Sequence, residues 1–150
     1  MLLSRDFKSL LSILEKYKVK YLVIGGYAVM KYSEPRFTKD LDLLIATDMP
    51  NANAVFSALK EFGAPLKGLS EKDFAEPEYY YQMGRDPFRI DIMMSIPGIK
   101  FDTAWQNRVE VKINELTIPF ISKSDLIISK KAGGRQQDLI DVINLEKTNR

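Results

Sequence analysis

Asp40-Leu41-Asp42-Leu43-Leu44-Ile45 sets two carboxylates one residue apart at the head of an apolar run. The alternation predicts a strand, in which residues two apart share a face and lie ~6.6 Å apart along the axis. Leu41 and Leu43 then turn to the core, and both aspartates turn away from it. The plain reading is a solvated strand face. Aspartate is depleted in strands, however, and two ionised carboxylates at that separation repel by roughly 2–3 kcal/mol at an effective dielectric of about 20. A shared cation reverses the sign of that energy. Ligands that are carboxylates alone suit Mg²⁺ or Mn²⁺, hard ions that keep waters for a phosphate to replace.

Upstream, Lys20-Tyr21-Leu22-Val23-Ile24 is a short run of strand formers halted by Gly25-Gly26, with a helix expected over 27–33 and a break at Glu34-Pro35. Glycines between a strand and a helix let backbone N–H groups close on an anion, and the helix N-terminus adds the positive end of its dipole. A double glycine is also the ordinary content of a tight turn, so the pair does not choose by itself. Downstream, Phe88-Arg89-Ile90-Asp91-Ile92-Met93-Met94 alternates again and puts Asp91 on the strand face opposite the isoleucines. Taken singly, Asp91 reads as half of a surface pair with Arg89, which is worth little. With Asp40 and Asp42 it completes a set of strand-borne acids suited to a two-metal site.

The remaining chain supplies the frame. Phe7, Leu10, Leu11 and Leu14 fall at i, i+3, i+4, i+7, predicting an amphipathic helix over 4–18 capped by Ser4. Asn51 to Phe62 reads as a second helix burying Val55, Phe56 and Leu59, ended by Gly63 and Pro65. Residues 66–77 read as an irregular charged loop. Tyr79 to Met83 joins the Asp91 strand through the turn-rich Gly84-Arg85-Asp86-Pro87. Arg108 to Ile113 and Leu116 to Phe120 form a hairpin across Asn114-Glu115. From Ser122 the pattern is helical: Ser122 and Asp125 make a capping box, and Leu139, Ile140, Val142 and Ile143 mark a further helix after Gly133-Gly134. The expected fold class is mixed α/β (α+β), a small mixed sheet flanked by helices around one core.

Composition narrows the chemistry. The chain has 150 residues, 45% hydrophobic and 28% charged, which suits one domain with a core of its own. It contains no cysteine and no histidine, so disulfides, zinc–thiolate sites, thiol nucleophiles and imidazole bases are excluded. Catalysis has to run on carboxylates, lysines, arginines, hydroxyls and oxygen-bound metals. A net charge of +2 is too small to announce a nucleic-acid binder, though it leaves room for a local basic patch. Arg5 and Asp6 put charges where a secretory leader needs its apolar region, and Tyr21 to Met30 is about half the ~20 residues of a membrane span. The expected location is cytoplasmic, without a membrane partner.

Val23-Ile24-Gly25-Gly26, followed after a helix by Arg36-Phe37-Thr38-Lys39-Asp40-Leu41-Asp42-Leu43-Leu44, resembles the signature of the DNA polymerase β nucleotidyltransferase superfamily. In particular it is similar to the minimal bacterial and archaeal members, which include antibiotic-modifying enzymes and toxin–antitoxin components. Asp91 fits the third acid of that pattern. Ser124-Asp125-Leu126-Ile127 to Lys130, Gly134-Arg135 and Asp138-Leu139 resemble the family's C-terminal tail. The resemblance covers nearly the whole chain. It implies a polymerase β-like core over 1–121, with a short helical tail over 122–150 packed on the same domain.

The same resemblance implies the chemistry. Gly25 and Gly26 would hold the triphosphate of an NTP such as ATP through backbone amides, with Lys39 in the nucleotide-binding set. Asp40 and Asp42 would bind two divalent ions, Mg²⁺ or Mn²⁺. Asp91 would complete the second ion site and help activate the attacking hydroxyl. Lys130, placed on the first turns of a C-terminal helix, would offer charge to the phosphates, with Arg135 as a weaker contributor; the alternative for Lys130 and Lys131 is a solvated helix face. The turn carries Gly26 where many relatives have serine, which removes a hydroxyl contact to phosphate. The expected reaction moves a nucleoside monophosphate from NTP to an acceptor hydroxyl and releases pyrophosphate; the acceptor could be an antibiotic, a tRNA end or a protein side chain. Two other classes stay open: a toxin or antitoxin partner that binds nucleotide without turnover, and an RNA-binding module using Lys123, Lys130, Lys131 and Arg135.

Overall fold

Ser4 accepts a hydrogen bond from the Phe7 N–H, and helix α1 runs from that cap over Arg5–Lys16. It is the first element of a computed structural model that describes residues 3–34, 38–85 and 88–148. Strand β1, Tyr21–Ile24, leads straight into helix α2, Gly25–Tyr32, so the glycines open the helix. Strand β2 occupies Asp40–Ile45 as the alternation predicts. Helix α3, Met49–Phe62, begins two residues before the expected start because Asp48 caps it through the Asn51 N–H, with Pro50 in its first turn. Gly63 ends it in the left-handed region, at φ 90°.

The stretch expected to be irregular holds a 3-10 turn, Glu71–Ala75, with a reciprocal cap between Ser70 and Asp73. Strands β3, Tyr80–Arg85, and β4, Phe88–Met93, pair antiparallel; Asp86 and Pro87 of the expected turn lie outside the described residues, as do Pro35 of the expected break and Arg36 and Phe37 of the motif. Helix α4, Phe101–Gln106, has no counterpart among the expected elements, and its N-cap Lys100 makes no side-chain cap bond that would have signalled it. The hairpin of β5, Val109–Ile113, and β6, Leu116–Phe120, turns at Asn114 with φ 57°. Helices α5, Lys123–Gly133, and α6, Gln136–Lys147, close the chain. Ser122 caps α5 through the Asp125 N–H, but the Asp125 carboxylate accepts from Asn107 Nδ2 at 3.1 Å, so the capping box is only half made.

The strands form one mixed sheet in the order β3-β4-β2-β1-β6-β5. β2 runs antiparallel to β1 and parallel to β4, while β6 lies parallel to β1. Registers fix the faces. Leu41, Leu43, Ile90, Ile92, Tyr81 and Met83 fall on one face and are buried. On that face Phe74 of the 3-10 turn sits 6.1 Å from Phe56 and 5.6 Å from Tyr81, centroid to centroid, and α1 and α3 supply the remaining cover. Asn51 fastens the sheet to α3: its Oδ1 accepts from the Lys20 N–H and its Nδ2 donates to the Ala46 carbonyl, both at 2.8 Å. The other face carries Asp40, Asp42, Asp91, Met93, Tyr80 and Gln82 toward α5 and α6. Among the described residues no helix is long and apolar enough to cross a membrane.

Candidate active site

At the β1–α2 junction Gly25 adopts φ 68°, a conformation that L side chains rarely take. A Cβ there would lie 2.0 Å from Asp42 Oδ2, so the backbone approaches the carboxylate more closely than any side chain permits. Ile24 is the N-cap of α2 and offers no side-chain bond, which leaves the first-turn N–H groups uncapped beside the acid. Gly26 is buried in the first turn.

Asp42 and Asp91 are register partners on the parallel strands β2 and β4, and Asp40 faces Arg89 across the same ladder. The three acids therefore stand on one side of the sheet. Burial pushes the Asp42 carboxyl up to about 7, reinforced by a hydrogen bond and charge repulsion from Asp91 and by the charge of Asp40, while Arg89 pulls the other way. Arg89 Nη2 reaches Asp40 Oδ2 at 3.4 Å, and its Nε lies 3.7 Å from Asp91 Oδ2. Asp91 is 8% exposed, and its Oδ1 has no hydrogen-bond partner among the described residues. Among those residues no three acids converge closely enough to hold one metal ion between them as they stand. Arg89, which the alternation marked only as a surface partner, supplies the countercharge of this arrangement.

Opposite the sheet, Lys130 differs from expectation in place and surroundings. Helix α5 starts at Lys123, so Lys130 sits in its last turn, before the left-handed C-cap Gly134. Its side chain is 12% exposed, with Nζ 2.9 Å from Asp141 Oδ2 and 3.6 Å from Asp138 Oδ1. This is not a solvated helix face: the lysine lines the cleft and is paired with two carboxylates. Lys131 points outward and pairs with Glu146, so the two lysines do not share a surface patch. Arg135 donates from Nε to Asp138 at 2.9 Å, and the Asp42 charge also raises the guanidinium above its ordinary value after the larger contribution of Asp138. Burial works to raise Asp138, but its bonds from Arg135 outweigh that and hold its carboxyl below the usual range. Sequence spacing missed Asp141 altogether and named Asp138 only through the tail resemblance; no local pattern connects residue 130 with 138 and 141.

These walls enclose a cleft of about 520 Å³. Gly25, Asp42, Asp91, Tyr80, Gln82 and Met93 line its sheet side, and Leu126, Ser129, Lys130 and Arg135 its helical side. Asp40 stands at the edge, turned to Arg89, and Lys39 is exposed at the start of β2 and outside the lining. An uncapped helix end, a crowded acid pair and cations across a cleft can together receive a polyanion with its counter-ions.

No curated protein sequence matches the chain. The solved structure of the lincosamide antibiotic adenylyltransferase LnuA, lincomycin-bound, superposes with a TM-score of 0.60 at 18% identity, covering 97% of each chain. A putative nucleotidyltransferase from Thermotoga maritima gives 0.58 at 19% identity, over 95% of this chain and 89% of that one. An antigenic nucleotidyltransferase-like protein from Paracoccidioides brasiliensis gives 0.54 at 19% identity, over 93% and 74%. At such identities the likeness carries the fold. Family membership comes from the sequence itself: the model described as "Nucleotidyltransferase of unknown function (DUF6036)" matches residues 1–150, and the chain belongs to that family and is a nucleotidyltransferase.

Proposed function

We propose that the chain transfers a nucleoside monophosphate from an NTP to the hydroxyl of a small acceptor, with Asp40, Asp42 and Asp91 as the divalent-ion site. The observation that carries this reading is the Asp42–Asp91 pair, registered side by side on β2 and β4 against the uncapped start of α2. The donor set fits Mg²⁺ or Mn²⁺. It consists of carboxylates only, one of them pushed up to about 7 by burial and crowding, and Asp91 keeps a buried oxygen without a hydrogen-bond partner among the described residues. Bound there, divalent ions supply charge neutralisation at the phosphates and at the attacking and leaving oxygens.

The chain's own groups do the rest by positioning. Backbone N–H groups at Gly25 and Gly26 face the phosphates with the dipole of α2 behind them. Arg135 brings a cation to the same cleft, and Lys130 is held there by Asp138 and Asp141. Asp91 accepts the acceptor's hydroxyl proton as the new oxygen–phosphorus bond forms and the bond to pyrophosphate breaks, the electron pair leaving with pyrophosphate. The lincosamide adenylyltransferase among the structural neighbours supports testing an antibiotic-sized hydroxyl compound first.

The test is a thermal shift with each NTP, with and without Mn²⁺, followed by incubation with α-labelled NTP and cell extract. A ligand at ~100 times its dissociation constant stabilises by about 2.7 kcal/mol, several degrees for a chain of this size. Absence of any metal-dependent nucleotide shift in the wild type rules the reading out.

A further inference from the structure

The sheet order gives the cleft a direction. Gly25 lies at the end of β1, Asp42 on β2, Asp91 on β4, and Gln82 and Tyr80 on β3, in that spatial sequence. Under the proposed reaction the phosphates sit at the β1–α2 end and the acceptor hydroxyl meets Asp91. What lies beyond Asp91, away from the phosphates, faces the acceptor. Gln82 is the register partner of Asp91, and Tyr80 is the partner of Met93 on the same face. Directly opposed residues of an antiparallel pair stand ~5 Å apart, within reach of a ligand held at Asp91.

Tyr80 is the unusual member of this edge. It is 61% exposed although its neighbour Tyr81 is buried, so its ring is not used by the core. It lines the main cleft and also an adjoining hollow of about 260 Å³ bounded by Leu69, Asp73, Phe74, Glu78 and Met94. One exposed ring thus forms the rim between two cavities. On the cleft side Met93, Ile96 and Pro97 extend the apolar surface next to Gln82, which brings an uncharged amide. Among the described residues that line the hollow, the ionisable ones apart from its tyrosines are Asp73 and Glu78, both acids. The basic groups of the cleft, Lys130 and Arg135, lie on the opposite, helical wall.

We infer that Tyr80 and Gln82 form the acceptor subsite, and that it takes a neutral or cationic hydroxyl compound with a flat or apolar face. The face stacks on the Tyr80 ring, and the Gln82 amide orients the polar edge so that the hydroxyl points at Asp91. A polyanionic acceptor that spreads past the Tyr80 ring meets Asp73 and Glu78 of the adjoining hollow instead and is disfavoured. This assignment rests on the nucleotidyl-transfer reading and adds to it the side and chemistry of the second substrate.

The experiment compares wild type with Tyr80→Ala, Gln82→Ala and Tyr80→Phe. Tyr80 and Gln82 are exposed, so their loss leaves the core intact. The probes are α-labelled NTPs with Mn²⁺, first in a thermal-shift titration, then with cell extract separated into small-molecule, protein and nucleic-acid fractions. The expected result is a nucleotide shift unchanged within twofold in apparent affinity for every variant, with label in the small-molecule fraction. That label falls about tenfold or more in Tyr80→Ala and Gln82→Ala and is retained in Tyr80→Phe. Equal labelling by wild type and Tyr80→Ala, at any level including none, overturns the assignment. So does a tenfold loss of nucleotide affinity in Tyr80→Ala, which moves the ring to the nucleotide pocket, or label confined to protein or nucleic acid. Failure of the underlying reading shows separately, as a wild type that gives no metal-dependent nucleotide shift.

Discussion

Replacing Asp42 by asparagine should stabilise the metal-free protein, and the gain should depend on pH in a defined direction. Burial and the neighbouring Asp91 push the Asp42 carboxyl from an ordinary 3.8 up to about 7. A raised folded-state value means that folding favours the protonated acid. The associated stability is fully present below about pH 4, declines as pH rises, and is lost once pH passes the folded value near 7. A shift of roughly three units corresponds to ~4 kcal/mol at 1.36 kcal/mol per unit. Asparagine escapes that charge penalty, but its amide still costs ~1–2 kcal/mol to bury incompletely satisfied. The net gain above pH 7 is therefore ~2–3 kcal/mol, or roughly 5–10 °C in Tm at ~2–4 °C per kcal/mol for a domain of this length. Melting curves of both proteins in EDTA between pH 4.5 and 8.5 measure it. The two curves should converge toward the acid end and separate until pH passes about 7. An asparagine variant that melts below wild type at pH 8, or whose advantage over wild type grows as pH falls, refutes the argument.

Other perturbations test other parts of the frame. Gly25→Ala forces a Cβ against Asp42 Oδ2 at 2.0 Å and strains a φ of 68°, so denaturant titration should show a loss of at least ~2 kcal/mol. Adding Asp42→Ala should relieve the carboxylate contacts while the Cβ of residue 42, at 2.8 Å, and the backbone strain remain, a partial coupling that a double-mutant cycle reads directly. Lys130→Ala removes the cation that Asp138 and Asp141 share, leaves Asp138 its Arg135 pair and Asp141 its Gln137 bond, and should cost ~1.5–3 kcal/mol, while Lys131→Ala, which loses an exposed pair with Glu146, should fall within about 0.5 kcal/mol of wild type. Equal losses in urea titrations of the two variants contradict the inward placement of Lys130. Asn51→Ala strands the Lys20 N–H and the Ala46 carbonyl and should cost ~1–3 kcal/mol without changing nucleotide affinity.

The strands around the acids were legible because their signal is local. Alternation at 40–43 and 88–93 fixes which side chains share a face, and that face turns out to be common to both strands because β2 and β4 run parallel in register. Terminal signals were equally plain where one residue carries them, as at Ser4 and Gly63. The Asp48 cap and Pro50 were also on the page, and the apolar period starting at Asn51 drew the boundary away from them. Elements without a periodic run or a cap were not legible. Helix α4 is one short turn and a half: within it Phe101 stacks on Trp105 at 5.7 Å, and the guanidinium of Arg108, just past its end, covers the Trp105 ring at 4.0 Å. A single i, i+4 aromatic pair with no side-chain cap beside it is too short a pattern to set a helical period.

Helix α6 shows why the helical wall of the site was harder to read than the sheet wall. Leu139, Ile140, Val142 and Ile143 mark the helix correctly, yet Leu139, Ile140 and Ile143 are about half exposed while Asp138 and Asp141 are among its most buried residues. Positions 138, 141, 142 and 145 form the inward stripe, so the helical period is intact but two of its four places are acids. Hydrophobicity ranks an isoleucine inward and an aspartate outward unless a buried partner reverses the order. Here the reversal is made by Lys130, one helix earlier, with Gly133 leaving the space that Asp138 Oδ2 occupies: a Cβ there would stand 2.7 Å from it. The inward face of α6 is thus decided by a charge on α5, and α5 in turn is placed by Leu126 in the core. Periodicity can find a helix, but only the partner's charge can tell which side of it meets the substrate cleft.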